Sequence, residues 1–355
     1  MISTVLTSRK SKAIAVWCGI LLLVLCLHVY MSYQDVGVPG IGRRLYGDNS
    51  QFRDPPPYNQ YGNAKTIKRP TEPKQPSTPA VPQKLYTPPD NEEKKQRFPR
   101  ALIVGTGKCG TRALIDYLNM HPYVVTAKRE MHFFDRDENW SRGVNWYKSQ
   151  MPYSYSDQMT IEKSPSYVEH PRTPSAVKQM DKDMFILWVV KDPVVRLMSV
   201  MALQDENSNL RHAYLEYGRD GKLGIRKDYY PLWRGEYVIH LRRWLRYFPL
   251  SQIHVLDGTD LVKDPITQIQ NVESFLQLQP LLGPRNFYYN ASKGFYCMVP
   301  FSTTTPQCLG SSKGRKHPVI NETVKTMLYD FFRPYNEQFF KLLGKRFNWE
   351  PKDRI

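Results

Sequence analysis

The sequence predicts an α/β domain: a central parallel sheet covered by helices, set behind a membrane anchor and an extended stem. Three observations predict it. Beyond residue 98, short unbroken apolar runs alternate with helical spacings, the pattern of buried parallel strands joined by crossover helices. A glycine-rich turn lies between the first such run and the first such helix. Ahead of them, an apolar segment passes into a proline-rich tract that supports neither helix nor central strand.

Residues 1–12 form a tail carrying Arg9, Lys10 and Lys12. The run 13–31 is apolar except for His28, close to the roughly 20 residues that span a bilayer. Basic residues before it favour a cytoplasmic N-terminus. No small-x-small cleavage site follows cleanly, so the run reads as an uncleaved signal anchor of a single-pass type II protein. Residues 32–97, with Pro55-Pro56-Pro57 and prolines at 70, 73, 76, 79 and 82, read as a semi-rigid stem. Residues 98–355 are then a luminal domain. Three sequons agree with that placement: Asn139-Trp140-Ser141, Asn290-Ala291-Ser292 and Asn321-Glu322-Thr323. Of five cysteines, Cys18 and Cys26 fall in the anchor. Cys297 and Cys308 are near enough to close a short disulfide loop, leaving Cys109 unpaired.

Fifty Lys and Arg face 33 Asp and Glu, a net charge of +17. Such a field favours polyanions: nucleic acid, acidic glycans, phosphate-bearing ligands or anionic membrane. Anchor and sequons speak against nucleic acid. No His/Cys set at metal-ligand spacing occurs.

Within the domain, 101–104 reads as a buried strand ending in glycine, and 111–120 as a helix with apolar residues at 114, 115 and 118. A second strand, 185–190, stops at Lys191-Asp192-Pro193, where Asp192 suits an N-cap and Pro193 a first turn. Residues 236–248 read as a helix with Arg242, Arg243 and Arg246 on its polar side, 253–256 as a strand, and 319–343 as mostly helical.

The strongest motif is Gly105-Thr106-Gly107-Lys108-Cys109-Gly110-Thr111-Arg112. Backbone N–H groups of a strand-to-helix turn, with the helix N-terminus, cradle an anion. An ATP-type loop requires Lys directly after its last glycine, and here Thr111 stands there, so another class of phosphate loop is indicated.

At this point the chain resembles the heparan sulfate glucosaminyl 3-O-sulfotransferases. The resemblance rests on five ordered motifs between about residues 98 and 350. They are Lys108-Cys109-Gly110-Thr111-Arg112, Glu130-Met131-His132-Phe133-Phe134-Asp135, Glu162-Lys163-Ser164-Pro165-Ser166-Tyr167, Lys191-Asp192-Pro193 with Arg196 and Ser199, and Gly294-Phe295-Tyr296-Cys297 through Cys308 to Lys313-Gly314-Arg315-Lys316-His317. It implies a P-loop-like sulfotransferase fold, a Golgi membrane location, and transfer of a sulfuryl group from 3'-phosphoadenosine 5'-phosphosulfate to the 3-OH of glucosamine in heparan sulfate, with no metal required.

The resemblance also implies roles. Glu130 is the general base, with His132 orienting it or stabilising the transferring oxygens, and Asp135 holding a cation or contacting substrate. Lys108 and Lys163 bracket the sulfuryl group. Cys109, Gly110, Thr111 and Arg112 take the 5'-phosphate side of the donor. Lys191 and Ser199 take its 3'-phosphate, with Tyr296, Lys313, Gly314, Arg315, Lys316 and His317 as a second clamp. Met131, Phe133, Phe134, Arg136, Ser164, Pro165, Ser166 and Tyr229 join Glu130, His132, Asp135 and Lys163 in contacting the saccharide.

Departures bear on this reading. Lys191 stands where the family has arginine and so lacks the bidentate fork. Cys109 replaces a common glycine, which predicts backbone strain at positive φ and, beside Lys108, a lowered thiol pKa. Two other readings stay open: a heparan sulfate sulfotransferase of other regiochemistry (N-sulfation), and a catalytically weak glycan-binding relative.

Overall fold

A computed structural model describes residues 86–203, 213–310 and 317–349. The expected tail and anchor, the stem up to residue 85, and Lys313, Gly314, Arg315 and Lys316 lie outside the described residues. Among the described residues no helix is long and apolar enough to cross a membrane.

Five strands form the central sheet: β1 (Ala101–Gly105), β2 (Val124–Thr126), β3 (Met159–Lys163), β4 (Phe185–Val190) and β5 (Ile253–Asp257). Their order is β2-β3-β1-β4-β5, and every neighbouring pair is parallel. Side chains alternate across a strand, and here both sets are buried. Leu102, Val104, Ile186, Trp188 and Val190 enter one core, while Ala101, Ile103, Leu187 and Val189 enter the other. That is why these strands read as continuous apolar runs. Each large side chain so buried contributes about 1.5–3 kcal/mol.

The first core is closed by α5 (Tyr237–Trp244) and α8 (Glu322–Leu343) through Trp244, Phe339 and Phe340. The second is closed by α1 (Thr111–Leu118) and α7 (Pro265–Phe275) through Leu114, Leu118, Ile269 and Val272. A third cluster joins α3 (Pro193–Met201), the short α4 (Tyr230–Trp233) and α8 through Leu197, Leu232 and Phe332. The helices α2 (Thr173–Met180) and α6 (Gly258–Lys263) complete the framework.

The named strands and helices appear within a few residues of their expected limits. The cap at α3 forms as read: Asp192 accepts from the Val194 N–H at 2.8 Å, with Pro193 in the first turn. β2 is too short, and β3 too charged, to stand out in sequence. Glu162 and Lys163 lie inside β3, 0% and 6% exposed. Glu162 is accommodated by bonds from Ser164 Oγ (2.6 Å), the Met131 N–H (3.2 Å) and Tyr147 OH (3.2 Å). Burial raises its carboxyl to about 7.

Domain contacts begin before Phe98. Tyr86 meets the Tyr123 ring edge-on at 5.0 Å and donates to Asp157 at 2.7 Å, and Lys95–Gln96 pairs with Tyr153–Ser154. Cys297, on the hairpin Phe287–Asn290/Phe295–Met298, is bonded to Cys308, and Cys109 is free.

Candidate active site

Lys108, Lys163 and Lys191 follow or end β1, β3 and β4, so the parallel topology gathers them at the carboxyl edge of the sheet, where open α/β sheets bind ligands. The loop after β2 brings Glu130, His132 and Asp135 to the same edge.

A continuous polar chain runs through this loop. Lys163 Nζ contacts Glu130 Oε1. Glu130 Oε2 lies 3.2 Å from His132 Nε2, and His132 Nδ1 lies 2.9 Å from Asp135 Oδ2. Ser166 Oγ donates to Asp135 Oδ2 and lies 3.2 Å from His132 Nδ1. His132 adopts φ 49°, a left-handed conformation that costs a non-glycine residue of order 1–3 kcal/mol unless its surroundings hold it. They do: its N–H donates to Ser164 Oγ at 2.9 Å, and its carbonyl accepts from Asn139 Nδ2 at 3.2 Å.

The electrostatics follow from this chain. The bond from His132, then Lys163, outweigh partial burial and hold Glu130 down at about 2. Bonds to Asp135 and then Glu130 lift His132 to about 9. Burial pushes Asp135 up, but the bonds from His132 and Ser166 outweigh it and leave the carboxyl below its usual range. At neutral pH the site therefore holds two carboxylates flanking an imidazolium.

The phosphate loop is pinned from below. The Thr106 N–H donates to the Val189 carbonyl at 2.7 Å, and Trp188 Nε1 donates to Thr106 Oγ1 at 2.9 Å. Gly110, at φ 116°, is the N-cap of α1 with no side-chain cap bond, so the first-turn N–H groups point outward without a protein cap. That open, cation-flanked helix start fits the phosphates of the expected donor. His317 belongs to the same neighbourhood: burial, then the charges of Lys191 and Lys108, hold its imidazole below the usual range. Ser199 is half-buried two turns along α3, and Tyr296 lies on the hairpin, its carbonyl accepting from Tyr117 OH at 3.4 Å.

Residues 98–321 match the family described as "Sulfotransferase domain". Heparan sulfate glucosamine 3-O-sulfotransferase 5 of Mus musculus is 39% identical over 259 residues, covering 72% of this chain and 75% of that protein. Its Homo sapiens counterpart gives the same figures.

This chain belongs to the heparan sulfate glucosamine 3-O-sulfotransferase family.

A crystal structure of a sulfotransferase from Alicyclobacillus acidocaldarius shares the fold, with a TM-score of 0.53 at 22% identity, covering 71% of this chain and 98% of that one.

For a member of this 3-O-sulfotransferase family, several residues behave differently from the sequence reading. Met131, Phe133 and Phe134 are 4%, 0% and 1% exposed. Phe133 stacks on Tyr147 at 4.5 Å and Phe134 meets Tyr167 edge-on at 5.2 Å. These side chains lie in the core rather than on a surface, and they anchor the loop that carries Glu130, His132 and Asp135. Ser164 is buried under His132 for the same purpose. Pro165 and Ser166 remain half-buried, and Arg136 is exposed.

Tyr229 packs on the α3–α4–α8 cluster. Its neighbour Tyr230 turns the other way, its OH 3.3 Å from Glu169 Oε1. Arg112 turns along α1 to pair with Asp116 at 2.8 Å. Arg243, expected on a solvated face, donates to the Glu169 carbonyl at 2.6 Å.

Cys109 departs furthest. Positive φ falls on Lys108 (76°) and Gly110, so the expected strain at Cys109 does not arise. Its N–H is committed to the Thr106 carbonyl at 3.1 Å, and its side chain is fully buried, Sγ 3.7 Å from Tyr237 OH. Burial raises its thiol, opposite to the lowering expected from Lys108.

Four residues that shape the site carry no signal of it in the sequence: Gly258, Asn139, Arg234 and Glu169. Gly258 starts α6 where a Cβ would lie 1.6 Å from the Cys109 carbonyl oxygen. Asn139, the acceptor of a sequon, also donates its Nδ2 to the Met131 (3.0 Å) and His132 (3.2 Å) carbonyls. Arg234, at the end of α4, and Glu169, in the loop after β3, form an ion pair at 2.7 Å. Among the described residues no His/Cys/Asp/Glu group is arranged to hold a metal.

Proposed function

We propose that the chain transfers a sulfuryl group from 3'-phosphoadenosine 5'-phosphosulfate to the 3-OH of a glucosamine in heparan sulfate, on the luminal side of the Golgi membrane, anchored through residues 13–31. The observation that carries the reading is the Lys163–Glu130–His132–Asp135 chain at the carboxyl edge of the sheet, beside an uncapped helix start.

The donor, when bound, supplies an activated sulfuryl group and a bisphosphate leaving group. Lys108 and Lys163 stabilise the transferring and departing oxygens as negative charge develops on them. Glu130 accepts the proton of the sugar hydroxyl as its oxygen bonds to sulfur and the sulfur–phosphate oxygen bond breaks. In the ligand-free chain Glu130 is a weak base, because two cationic partners hold its carboxyl at about 2. Drawing Lys163 toward the sulfuryl oxygens removes one partner and raises basicity where the proton is taken. His132, kept cationic by Asp135, holds Glu130 in position. Lys191, Ser199 and His317 serve the 3'-phosphate, together with the expected clamp at 313–316. The net charge of +17 suits a polyanionic acceptor.

The test is incubation of the full-length chain with radiolabelled donor and heparan sulfate, followed by disaccharide analysis. Label on the glucosamine 3-oxygen is expected; label on nitrogen, or none, overturns the assignment. Glu130→Gln should lower kcat at least about 100-fold while adenosine 3',5'-bisphosphate binding stays within about threefold. Loss of that binding would make Glu130 a structural residue.

A further inference from the structure

The loops that carry Lys108 and Lys163 rise side by side from β1 and β3. At their bases they touch directly: the Val168 N–H donates to the Val104 carbonyl at 2.8 Å, and Gly105 admits the Pro165 carbonyl to 2.8 Å from where a Cβ would stand. Nearer the lysines, the shared contact is the Arg234 guanidinium. Its Nη2 lies 3.1 Å from the Cβ position of Gly107, the residue before Lys108. The same nitrogen lies 3.5 Å from the carbonyl of Pro165, two residues after Lys163. The same Nη2 is held by Glu169 at 2.7 Å, whose side chain is 4% exposed, and Tyr230 lends its hydroxyl to the same carboxylate at 3.3 Å.

We infer that Arg234, held by Glu169, is a positioning residue that sets the gap between Lys108 and Lys163 and so the alignment of the sulfuryl group. The inference rests on the sulfuryl-transfer reading for its chemistry and on the loop contacts alone for its geometry. A rigid, permanently charged guanidinium suits the task, because it can face two loops while remaining paired to a carboxylate. A gap error of about 1 Å is enough to lower turnover about 100-fold.

Removing one member would strand a buried charge and unfold the region for reasons unrelated to positioning. The decisive variant removes both charges at once: Glu169→Leu with Arg234→Met. Replacing a buried pair by apolar side chains of similar volume is often neutral for stability, so a merely structural pair is rescued by it and a positioning pair is not. In the full-length protein, the double variant should keep the wild-type melting temperature and bind adenosine 3',5'-bisphosphate within about threefold. Its kcat should fall ten- to 100-fold with acceptor KM little changed. Amide exchange in peptides covering 105–111 and 163–167 should quicken about tenfold or more without ligand. Wild-type kcat in the double variant overturns the inference, as does unchanged exchange in both peptides. Loss of bisphosphate binding overturns it too, because Arg234 would then belong to the donor site. Wild-type protein that transfers no sulfate overturns the sulfotransferase reading instead, and the exchange measurement still decides whether the bridge exists.

Discussion

Substituting Gly258 by alanine should damage the phosphate loop from behind. An alanine Cβ would lie 1.6 Å from the Cys109 carbonyl oxygen, against a floor of about 3.0 Å for real contacts, so the gap must open by about 1.4 Å. Neither side yields easily. The loop is tied by Thr106 to Val189 and by Trp188 to Thr106. The start of α6 is tied by Asp257, which caps Thr259 at 2.5 Å and accepts from Trp349 at 2.5 Å. Overpacking of this kind destabilises by about 1–3 kcal/mol. A loop moved by that distance loses at least one charge-assisted bond to phosphate, worth about 1.5–3 kcal/mol, or roughly ten- to 150-fold in affinity. The assay pairs calorimetric titration of adenosine 3',5'-bisphosphate with a denaturant midpoint. Gly283→Ala is the control, since nothing lies within 4 Å of its Cβ position. Gly258→Ala matching Gly283→Ala in both measurements would refute the reasoning.

Two further outcomes follow from the catalytic loop. The His132 imidazole should titrate near 9 in the ligand-free protein, followed by histidine-resolved NMR. Asp135→Asn should lower that midpoint further than Glu130→Gln, because Asp135 is the larger cause; a midpoint near the ordinary 6.5 would refute the network. The sign is fixed: the raised His132 adds stability that is full below about 6.5 and lost as pH climbs through about 9, whereas the depressed Glu130 adds stability present above about 4.5 and lost as pH falls through about 2. Asn139→Ala removes two bonds beneath the loop and should lower kcat about tenfold, at roughly 0.5–1.5 kcal/mol each. Ser141→Ala, which removes the sequon but keeps the amide, should stay within about twofold. Equal turnover of the two variants would show that Asn139 does not support the loop.

The sequence by itself determined the sheet's centre and the position of the phosphate loop. Strands buried on both faces read mostly as apolar runs, so 101–104, 185–190 and, despite His254, 253–256 were legible. A turn with Gly105, Gly107 and Gly110 before a helical spacing admits few uses, and Asp192-Pro193 encodes a helix start locally. Glu130, His132 and Lys163 were found through motif resemblance, since read alone they are ordinary charged residues. Only the tertiary structure decided what depends on distant neighbours. Lys163 is buried because β3 lies inside the sheet, and Cys109 is shielded because Gly258 and Tyr237 close over it from residues far along the chain. Tyr229 and Tyr230 part because the short helix α4 turns one ring into the α3–α8 cluster and the next toward Glu169. Arg234 and Glu169 are 65 residues apart in sequence, and no local periodicity links them. Their pairing exists only because the end of α4 packs against the loop after β3, where a single guanidinium lies near two loops at once.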